Sequence, residues 1–413
     1  MCDARSVTSL TVYGAPWCPD CKRSKKFLAE HRVEFDWVDI DQDPEALAFV
    51  EREQNGGRTI PMVVFPDGSR LLEPGDDELA RKLGLTLEAT EHHYDLVIVG
   101  GGPTGLAAAI YAAREGIEAL VVDKAGLGGQ AGVTERIDNY PGFPEGIGGA
   151  DLADRFVAQA RRYGVELLSA VEVTAIEADS EERLMAERRV SFATGQVVNA
   201  RAVLLAPGSS YRRLGVPGED ELIGAGVHFC ATCDGPFYKG ASELLVIGGG
   251  NSALEEALFL AQFADHIRIV ARGELTAAKL VQDKIAESPQ FTVHTNTDVR
   301  SMAGTGGKLT EVVATSRDDG SELRWQPAGA FVFIGQDPHT GWLGDTVALD
   351  EWGFLITDDA FATSLPGVFA AGDARAGSTK QLGAAVGEGI AALIAIRSFL
   401  QRHSDVRRLA VNS

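Results

Sequence analysis

Apolar and polar positions in the first 85 residues fall into short apolar runs and stretches with helical spacing. The runs LTVYGAP and VEFDWVDI predict strands, and CPDCKRSKKFLAEH and PEALAFVEREQN predict helices. IPMVVFPDGSRLL predicts a hairpin that turns at Pro66 to Gly68, and DDELARKLGL predicts a closing helix. The predicted elements therefore follow the order βαβαββα.

That order is typical of a thioredoxin fold, which we predict for residues 1–85, followed by a polar linker at 86–93. From Tyr94 the chain has a strand, YDLVIVG, a glycine-rich turn, a helix and a second strand that ends near Asp123. The pattern recurs in SELLVIGGGNSALEEALFLAQFADHIRIVAR. We expect an α/β protein with an N-terminal thioredoxin fold and two Rossmann-like domains.

The two glycine turns have the spacing of dinucleotide-binding fingerprints. Gly100, Gly102 and Gly105 lie between a strand and a helix, and Asp123 follows at the distance that suits a ribose contact. A second turn has Gly248, Gly250 and Ala253 in the same context. Glycines alone also occur in tight loops or packing contacts, but strand, helix and acid together favour two bound dinucleotides.

Composition narrows the class of protein. A length of 413 residues predicts roughly two to four domains. No stretch reaches the ~18 apolar residues of a membrane helix, and the start lacks a secretory pattern, so we expect no membrane partner and a cytoplasmic protein. The net charge of -21 argues against a nucleic-acid partner.

Four of the five cysteines form two C-x-x-C pairs, Cys18/Cys21 and Cys230/Cys233. A zinc site is the alternative, but it favours a spacing of roughly 15 to 20 residues between pairs, far shorter than the spacing here. Two redox dithiols are therefore the preferred interpretation, and no metal is expected. Cys2 has no partner in these motifs and receives no role.

A family resemblance begins at CATCDGPFYKG and continues through LLVIGGGNSALEEALFLA. These segments resemble the core of low-molecular-weight thioredoxin reductases and of the flavoprotein subunit of alkyl hydroperoxide reductase. GGQ at 128–130, IDNYPGFP around Asn139 and LPGVFAAGDA with Gly372 and Asp373 resemble the flavin-site segments of that family. The resemblance extends from Tyr94 to about Leu400.

The resemblance implies an FAD-binding domain at 94–210 and 328–413, interrupted by a nicotinamide domain at 211–327, with rotation between the two during turnover. It implies FAD contacts at Gly100, Gly102, Pro103, Thr104, Gly105, Asp123, Lys124, Gly129, Gln130, Asn139, Val173, Ala206, Gly208, Gly372, Asp373, Lys380, Gln381 and Leu382. It implies nicotinamide contacts at Gly248, Gly250, Asn251, Ser252 and Arg272. The family also implies a homodimer.

Within CATCDG, the resemblance implies that Cys233 faces the flavin, Cys230 attacks the acceptor and Asp234 protonates the departing thiolate. Asp234 is alternatively a turn residue before a glycine. His228 either tunes the thiol of Cys230 or is a structural histidine.

The amino-terminal unit resembles glutaredoxins, including mycoredoxins, in WCPDC and in the NGG-T-IP-VVFPDG stretch. Cys18 precedes a helix that Pro19 opens, so the helix dipole and Lys22 or Arg23 favour its thiolate, and Cys21 resolves. The resemblance implies a cis Pro61 beside the dithiol. Residues 75–77 either hold a low-molecular-weight thiol or cap the next helix.

Three segments depart from the reductase pattern. Family members that use NADPH have several cationic residues that bind its 2′-phosphate, and the segment VARGELT retains only Arg272 of these. NADPH is therefore favoured, but NADH is also compatible with the sequence. The usual A-T-G is Ala206-Pro207-Gly208, and the usual Arg-Gln pair is Lys380-Gln381.

The sequence thus predicts a flavoprotein disulfide reductase with the electron path NAD(P)H, FAD, Cys230/Cys233, Cys18/Cys21 and an external disulfide. That acceptor is a thioredoxin-like protein, a peroxiredoxin or a low-molecular-weight thiol disulfide. One alternative is a dedicated peroxiredoxin reductase of the alkyl hydroperoxide reductase type. Another is a redox sensor or iron-sulfur carrier with little turnover.

Overall fold

The protein is described from a computed structural model that covers residues 9–134, 136–178, 187–306 and 308–411, without the side chains of 403–411. Cys2 lies outside the described residues. The described chain falls into two compact units. The first contains the chain up to Arg136, Ile147–Gly208 and the chain from Pro338, and the second contains Ile137–Gly146 and Ser209–Asp337.

The amino-terminal domain has the predicted thioredoxin fold. Its elements are β1 (Leu10–Gly14), α1 (Pro19–Glu30), β2 (Phe35–Asp39), α2 (Pro44–Glu53), β3 (Met62–Val64), β4 (Arg70–Leu72) and α3 (Asp76–Lys82). The sheet order is β2-β1-β3-β4, with β1 parallel to β2 and antiparallel to β3. Val12 and Val63 are fully buried against Leu28 and Leu79 of the helices, so apolar alternation in the strands fixes which sheet face carries α1 and α3.

The segment between this domain and β5 (His93–Val99) is hydrogen-bonded to later residues of the first unit. The Gln196 amide donates to the carbonyl of Ala89 at 2.9 Å and accepts from its N–H at 2.8 Å. Thr90 donates to Glu166 through both its N–H and its hydroxyl. The linker is therefore held to the later part of the first unit by specific hydrogen bonds and is more than a polar spacer.

The remainder of the first unit is built on a seven-stranded sheet with the order β7-β6-β5-β10-β9-β8, in which β21 also pairs with β10. Its further elements are α4 (Pro103–Arg114), β6 (Ala119–Val122), α5 (Gly129–Gly132), α6 (Gly149–Arg162), β7 (Glu166–Leu168), β8 (Val173–Ala178), β9 (Arg188–Phe192), β10 (Val197–Leu205), β21 (Val368–Ala370) and α11 (Leu382–Val411). Leu96 and Ile98 face α4 and α11, whereas Val97 and Val99 face the opposite core.

The second unit has a five-stranded parallel sheet of order β12-β19-β13-β14-β15 and a three-stranded antiparallel sheet β16-β17-β18. Its elements are β11 (Ser209–Tyr211), α7 (Glu219–Leu222), β12 (Val227–His228), α8 (Ala231–Asp234), β13 (Ala241–Ile247), α9 (Asn251–Leu260), β14 (Ala264–Val270), α10 (Lys279–Ala286), β15 (Phe291–His294), β16 (Thr297–Thr305), β17 (Lys308–Ser316), β18 (Glu322–Trp325) and β19 (Gly329–Val332). The short strand β20 (Gln336–Pro338) pairs with β11 where the chain returns to the first unit. Single-turn 3-10 helices occupy Gly235–Tyr238 and Gly341–Leu343.

One helix of the described chain, Leu382–Arg402 within α11, is long and apolar enough to cross a membrane by length and composition. The sequence-based statement that no segment has this character is therefore corrected. In the fold, Leu393 and Ile396 are buried in the core that α4 also lines, and Arg397 pairs with Glu115 of the segment after α4 at 3.0 Å. The helix is thus packed against the sheet domain along one face.

Candidate functional site

The first glycine turn joins β5 to α4. Gly100 has a φ of 114°, and a β-carbon there would lie 2.0 Å from the carbonyl oxygen of Ala206, so no other residue fits. Gly102 is the N-cap of α4, and Pro103 occupies the first helical turn. The turn therefore presents bare backbone at a helix N-terminus, the arrangement that suits a pyrophosphate.

Asp123 follows β6 and is bonded to the same turn. One carboxylate oxygen accepts the N–H of Gly101 at 2.6 Å, and the other accepts the N–H of Ala125 at 2.7 Å. Burial raises the pKa of Asp123, while these two N–H groups and the charges of Lys124 and His31 oppose the rise. The carboxylate thus positions the glycine turn and lies where the sequence predicts a ribose contact.

Two further predicted segments pack onto this turn. A β-carbon at Gly129 would lie 3.0 Å from the Cα of Gly102, and one at Gly372 would lie 2.4 Å from Oγ1 of Thr104. Thr104 is buried at that contact. The structure therefore brings three distant predicted FAD segments together around the start of α4.

Asp373 has a carboxylate oxygen, Oδ1, that is buried and has no hydrogen-bond partner within the described part of the chain. Burial raises the pKa of Asp373, and the nearby ammonium of Lys380 opposes this. A buried polar atom of this kind is expected to have a partner, so Asp373 fits a residue that binds a polar ligand such as the ribityl chain of FAD.

Lys380 lies close to Asp373 but is directed to backbone oxygens. Its ammonium donates to the carbonyl oxygens of Asp373 and Arg375 and lies 4.0 Å from the ring centroid of Phe354. Arg375 in turn binds Glu388 of α11 at 2.6 Å, and Glu388 accepts the N–H of Gly372 at 2.8 Å. Sequence inspection missed Arg375 and Glu388, which hold the 372–380 loop.

Other predicted FAD residues have these locations, and their contacts with FAD stay predictions. Val173 is buried at the start of β8, and the N–H of Ala206 donates to Val99 at 2.8 Å. The carbonyl of Gly208 accepts the N–H of His339 at 3.0 Å. The rest are Gly105 within α4, the exposed Lys124 and Gln130, Gln381 just before α11, and Leu382 as the first residue of α11.

The second glycine turn joins β13 to α9 in the second unit. Gly250 is the N-cap of α9, and the carboxamide oxygen of Asn251 accepts the N–H of Ala278 at 2.7 Å. Gly248 adopts a φ of 148°, and Ser252 is exposed in the first turn of α9. These features match the first turn, so the second unit has its own dinucleotide-binding framework.

Arg272 follows β14 with 81% of its side chain exposed. It shares the carboxylate of Asp298 with two arginines that sequence inspection did not select, at 3.5 Å for Arg272, 3.3 Å for Arg300 and 2.9 Å for Arg317. The hydrogen bond from Arg317 lowers the pKa of Asp298, and the other two guanidinium groups act in the same direction. Three cations around one anion leave this edge of the unit positively charged.

Cys230 and Cys233 form a disulfide in the second unit. Cys230 is the N-cap of α8, and its sulfur accepts the N–H of Cys233 at 3.2 Å. Oγ1 of Thr232 lies 3.4 Å from the sulfur of Cys230, and the amide of Asn139 lies 3.6 Å from the sulfur of Cys233. Asn139, a predicted cofactor residue, thus contacts the disulfide in this structure.

A chain of polar groups leads away from Asp234. Oδ2 of Asp234 lies 3.4 Å from Nδ1 of His228, and Nε2 of His228 lies 2.6 Å from the hydroxyl of Tyr238. His228 is buried, with Phe331 against its ring. Burial, together with the charge of Asp234, raises the pKa of Tyr238 to about 12, so its hydroxyl keeps its proton.

In the amino-terminal domain, Cys18 and Cys21 are free thiols at the start of α1. Cys18 is the N-cap, and its sulfur accepts the N–H of Cys21 at 3.1 Å and lies 3.8 Å from the carbonyl oxygen of Ile60. The Ile60-Pro61 peptide bond is cis, as the resemblance implied. Cys18, Cys21 and cis Pro61 therefore lie side by side.

The two thiols share an apolar setting with Ala15, Trp37 and Ile60. Burial, followed by the hydrogen bond with Cys18, raises the pKa of Cys21 to about 12. Cys21 is thus a protonated thiol in the dithiol state, so the first attack on a disulfide falls to Cys18.

Arg23, one of the two cations predicted to act on Cys18, has other partners. The guanidinium of Arg23 donates to the carbonyl of Pro74 at 3.0 Å and lies 3.6 Å from Asp76. Gly75 is the N-cap of α3, and its N–H donates to Glu78 at 3.2 Å. This segment therefore has the capping arrangement that was one of its two sequence interpretations.

Comparison with family models gives two matches. Residues 94–389 match the pyridine nucleotide-disulphide oxidoreductase model, and residues 10–70 match the glutaredoxin model. The first match covers well over half of the chain and includes both glycine turns and Cys230/Cys233.

Named relatives and solved structures agree with that match. A thioredoxin reductase of Listeria innocua is 37% identical over 304 residues, which are 73% of this chain and 92% of the relative. A thioredoxin reductase of Bacillus subtilis is 35% identical, with 75% and 96% covered. The crystal structure of thioredoxin reductase from Streptococcus pyogenes aligns with a TM-score of 0.70 at 34% identity, covering 76% of this chain and all of that one.

These similarities imply FAD and NADPH as cofactors and a protein disulfide as substrate, and the residues described above fit them. The relatives are matched over nearly their full length by the reductase part alone, so the glutaredoxin domain is additional to them. The chain belongs to the pyridine nucleotide-disulphide oxidoreductase family, as a thioredoxin reductase-like flavoprotein disulfide reductase with a glutaredoxin domain fused at its amino terminus.

Proposed function

We propose that this enzyme passes electrons from NADPH through Cys230/Cys233 to its own glutaredoxin dithiol, Cys18/Cys21, and from there to an external disulfide. The observation that carries the proposal is the presence of a complete second dithiol site in the same chain as the reductase disulfide. A tethered acceptor also meets its donor at an effective concentration on the order of mM, which favours internal transfer over an encounter in solution.

The flavin part of the proposal rests on residues that fit a dinucleotide. Gly100, Gly102 and Asp123 would hold the pyrophosphate and ribose, and Asp373, with its buried and unpartnered oxygen among the described residues, would bind the ribityl chain. When bound, FAD takes the hydride of NADPH and returns its two electrons to a disulfide.

The cysteines then do the sulfur chemistry. Two electrons and two protons convert the disulfide of Cys230 and Cys233 into two thiols; the hydride accounts for one proton and solvent for the other. The thiolate of Cys230 attacks Cys18 in the oxidised glutaredoxin pair and expels Cys21, which takes up a proton. Cys233 then attacks Cys230, releases Cys18 and restores the reductase disulfide. The net result is transfer of one disulfide.

Cys18 is also the outlet, by which we mean the residue that passes electrons to the external disulfide. Its thiolate attacks the external disulfide, which gives a mixed disulfide and releases the first thiol. Cys21 then attacks Cys18 in the mixed disulfide, which releases the second thiol and leaves Cys18 and Cys21 oxidised. We propose that the substrate is a protein disulfide or a mixed disulfide with a low-molecular-weight thiol.

Replacing Cys18 with Ser tests the route. In the full chain loaded with FAD, NADPH should still reduce the flavin, whereas consumption of NADPH with bis(2-hydroxyethyl) disulfide, thioredoxin or a peroxiredoxin as acceptor should fall to background. Cys2→Ser is the matched control and should keep its turnover. Full activity of Cys18→Ser with every acceptor would refute the internal relay. Loss of activity with the small disulfide alone would indicate that Cys230 reduces protein disulfides directly.

We further propose that NADPH is the preferred coenzyme and that Arg272, with Arg300 and Arg317 beside it, binds the 2′-phosphate. The exposed guanidinium of Arg272 and the shared carboxylate of Asp298 support this. Arg272→Ala should raise the KM for NADPH roughly five- to tenfold and leave that for NADH unchanged. Arg324→Ala, on β18 with its own acidic partners, is the control.

A homodimer in the cytoplasm completes the proposal. The similarity to bacterial thioredoxin reductases supports both the dimer and this compartment. Light scattering on the FAD-loaded full chain would measure the first directly, because a monomer mass would contradict it.

A further inference from the structure

The end of α1 in the glutaredoxin domain lies against the loop that follows Asp123. A β-carbon at Gly126 would lie 1.7 Å from the carbonyl oxygen of Glu30 and 3.1 Å from the Cα of His31. Only a glycine allows the two backbones to approach this closely. The loop that carries the predicted ribose and GGQ contacts is therefore also the surface on which the glutaredoxin domain is seated.

Arg32 fastens this contact. Its guanidinium donates to the carbonyl oxygens of Leu127 and Ala150, each at 3.1 Å, and pairs with Asp154 at 2.8 Å. Two of these partners are backbone groups, one just before α5 and one in the first turn of α6, so the arginine recognises the shape of the flavin-domain loop as well as a charge. The glutaredoxin domain thus holds residues 127 and 150 in place.

His31 lies between these two contacts. Its Nδ1 bonds to the carbonyl oxygen of Phe27 at 2.8 Å, and its ring stacks on that of Phe27 at 4.1 Å. Because a carbonyl accepts only, Nδ1 carries the proton, and a neutral ring leaves Nε2 as an acceptor. Nε2 is buried and lacks a hydrogen-bond partner within the described part of the chain.

His31 also lies near the predicted ribose acid. Its Cα faces Gly126, and the N–H of the neighbouring Ala125 donates to the carboxylate of Asp123 at 2.7 Å. An unpartnered acceptor near that carboxylate matches a ligand that has hydroxyl groups, and a ribose bound by Asp123 has two of them.

We propose that the glutaredoxin domain forms one wall of the FAD site, with Nε2 of His31 accepting a hydrogen bond from a ribose hydroxyl held by Asp123. The inference rests on the proposed FAD site. Because binding free energies are reciprocal, FAD and the docked glutaredoxin domain then stabilise each other. The domain would serve as the electron outlet and also as a part of the flavin site.

His31→Phe in the full chain is the test, since it keeps the stacked ring and removes Nε2. Titration of the apoprotein with FAD, followed by flavin fluorescence, should show a dissociation constant raised roughly three- to tenfold, the usual effect of one lost hydrogen bond. His31→Gln, whose amide reaches the position of Nε2, should recover most of the affinity. His92→Phe, at an exposed linker histidine, should bind FAD as the native protein does.

Hydrogen exchange gives a second readout that does not depend on activity. FAD should slow exchange of the amides around Glu30 to Val33 in the native protein and leave them unchanged in His31→Phe. Arg32→Met removes the contacts of Arg32 with Leu127, Ala150 and Asp154 and leaves Nε2 of His31 in place. This variant should also bind FAD more weakly.

The outcomes separate the two proposals. If the native protein binds FAD and His31→Phe binds it equally well with unchanged exchange, His31 has no part in the site and only this inference fails. If the native protein does not bind FAD, the proposed function fails. Should His31→Phe prove insoluble, Arg32→Met and the exchange response of the native protein decide in the same way.

Discussion

The two cysteine pairs of this enzyme differ in what surrounds their sulfur atoms. Cys18 and Cys21 lie in an apolar setting, and burial raises the pKa of Cys21 to about 12. Around Cys230 and Cys233 the neighbours are polar: Thr232 and Asn139 contact the sulfurs. The same C-x-x-C spacing at a helix start is therefore used in two electrostatic settings.

The two settings differ in what controls the proton that is taken up and released in thiol-disulfide exchange. In the glutaredoxin pair, burial and, after it, the hydrogen bond with Cys18 keep the second cysteine protonated. For the reductase pair we propose instead that Asp234, which is linked to His228 and Tyr238, gives and regains the proton. We infer that the reductase pair uses an acid for proton transfer, while the glutaredoxin pair uses a buried thiol.

The largest effect should come from Cys233→Ser. Electrons from NADPH then reach no sulfur, because a serine cannot form the disulfide that receives them, and reduction of any external disulfide should fall by more than about a thousandfold. FAD should remain bound and should still be bleached by NADPH in a stopped-flow trace. Substantial turnover of this variant would place the glutaredoxin pair in direct contact with the flavin and remove the distinction between the two pairs.

The next largest effect should come from replacing Asp234. Asp234→Asn keeps the shape but cannot donate a proton, so thiol-disulfide exchange of the reduced enzyme should slow by roughly 10²- to 10³-fold. The loss should shrink as pH falls, because solvent protons replace the missing acid. Single-turnover mixing of the NADPH-reduced enzyme with a disulfide acceptor measures this.

Tyr238→Phe probes the far end of the same chain. Removing one hydrogen bond to His228 should slow exchange by roughly three- to tenfold. Tyr163→Phe, at an exposed tyrosine of the first unit, is the matched control. If Tyr238→Phe has a native rate and pH profile, the hydroxyl is a packing feature and Asp234 acts alone.

The sequence predicted the element order and both glycine turns because those features are local. Strand and helix periods, and the positive φ of Gly100, are determined by residues close together in the chain. The same holds for Cys18 as N-cap and for cis Pro61, each within a short motif.

Residues that act across the fold were missed. The Arg375–Glu388 pair and the contact of Arg32 with Leu127 join segments without a shared motif. His228 was considered, but its link to Tyr238 depends on the 3-10 turn after α8. Arg23 was expected beside Cys18, yet a backbone carbonyl and Asp20 compete for it. Such contacts depend on the tertiary structure, and short stretches of a single sequence do not predict them.

The smallest effect on turnover, and the finest test of the contrast between the two pairs, concerns titration of Cys21. The folded state raises its pKa from an ordinary 9.0 to about 12, so the protein holds this proton more tightly when folded. The stability that Cys21 contributes is then complete below about pH 9 and is lost as pH rises towards 12. The disulfide of Cys230 and Cys233 does not titrate and contributes no such dependence.

Alkylation of the full chain with iodoacetamide, located by mass spectrometry, measures this proton directly. At about pH 8, labelling of Cys21 in the dithiol state should be roughly a thousandfold slower than in the urea-unfolded chain, since a three-unit shift in pKa lowers the thiolate fraction by that factor. The rate should then climb about tenfold for each pH unit towards 11. A Cys21 that labels near pH 8 as fast as in urea would show that folding does not protect its proton, and the glutaredoxin pair would then need an acid of its own.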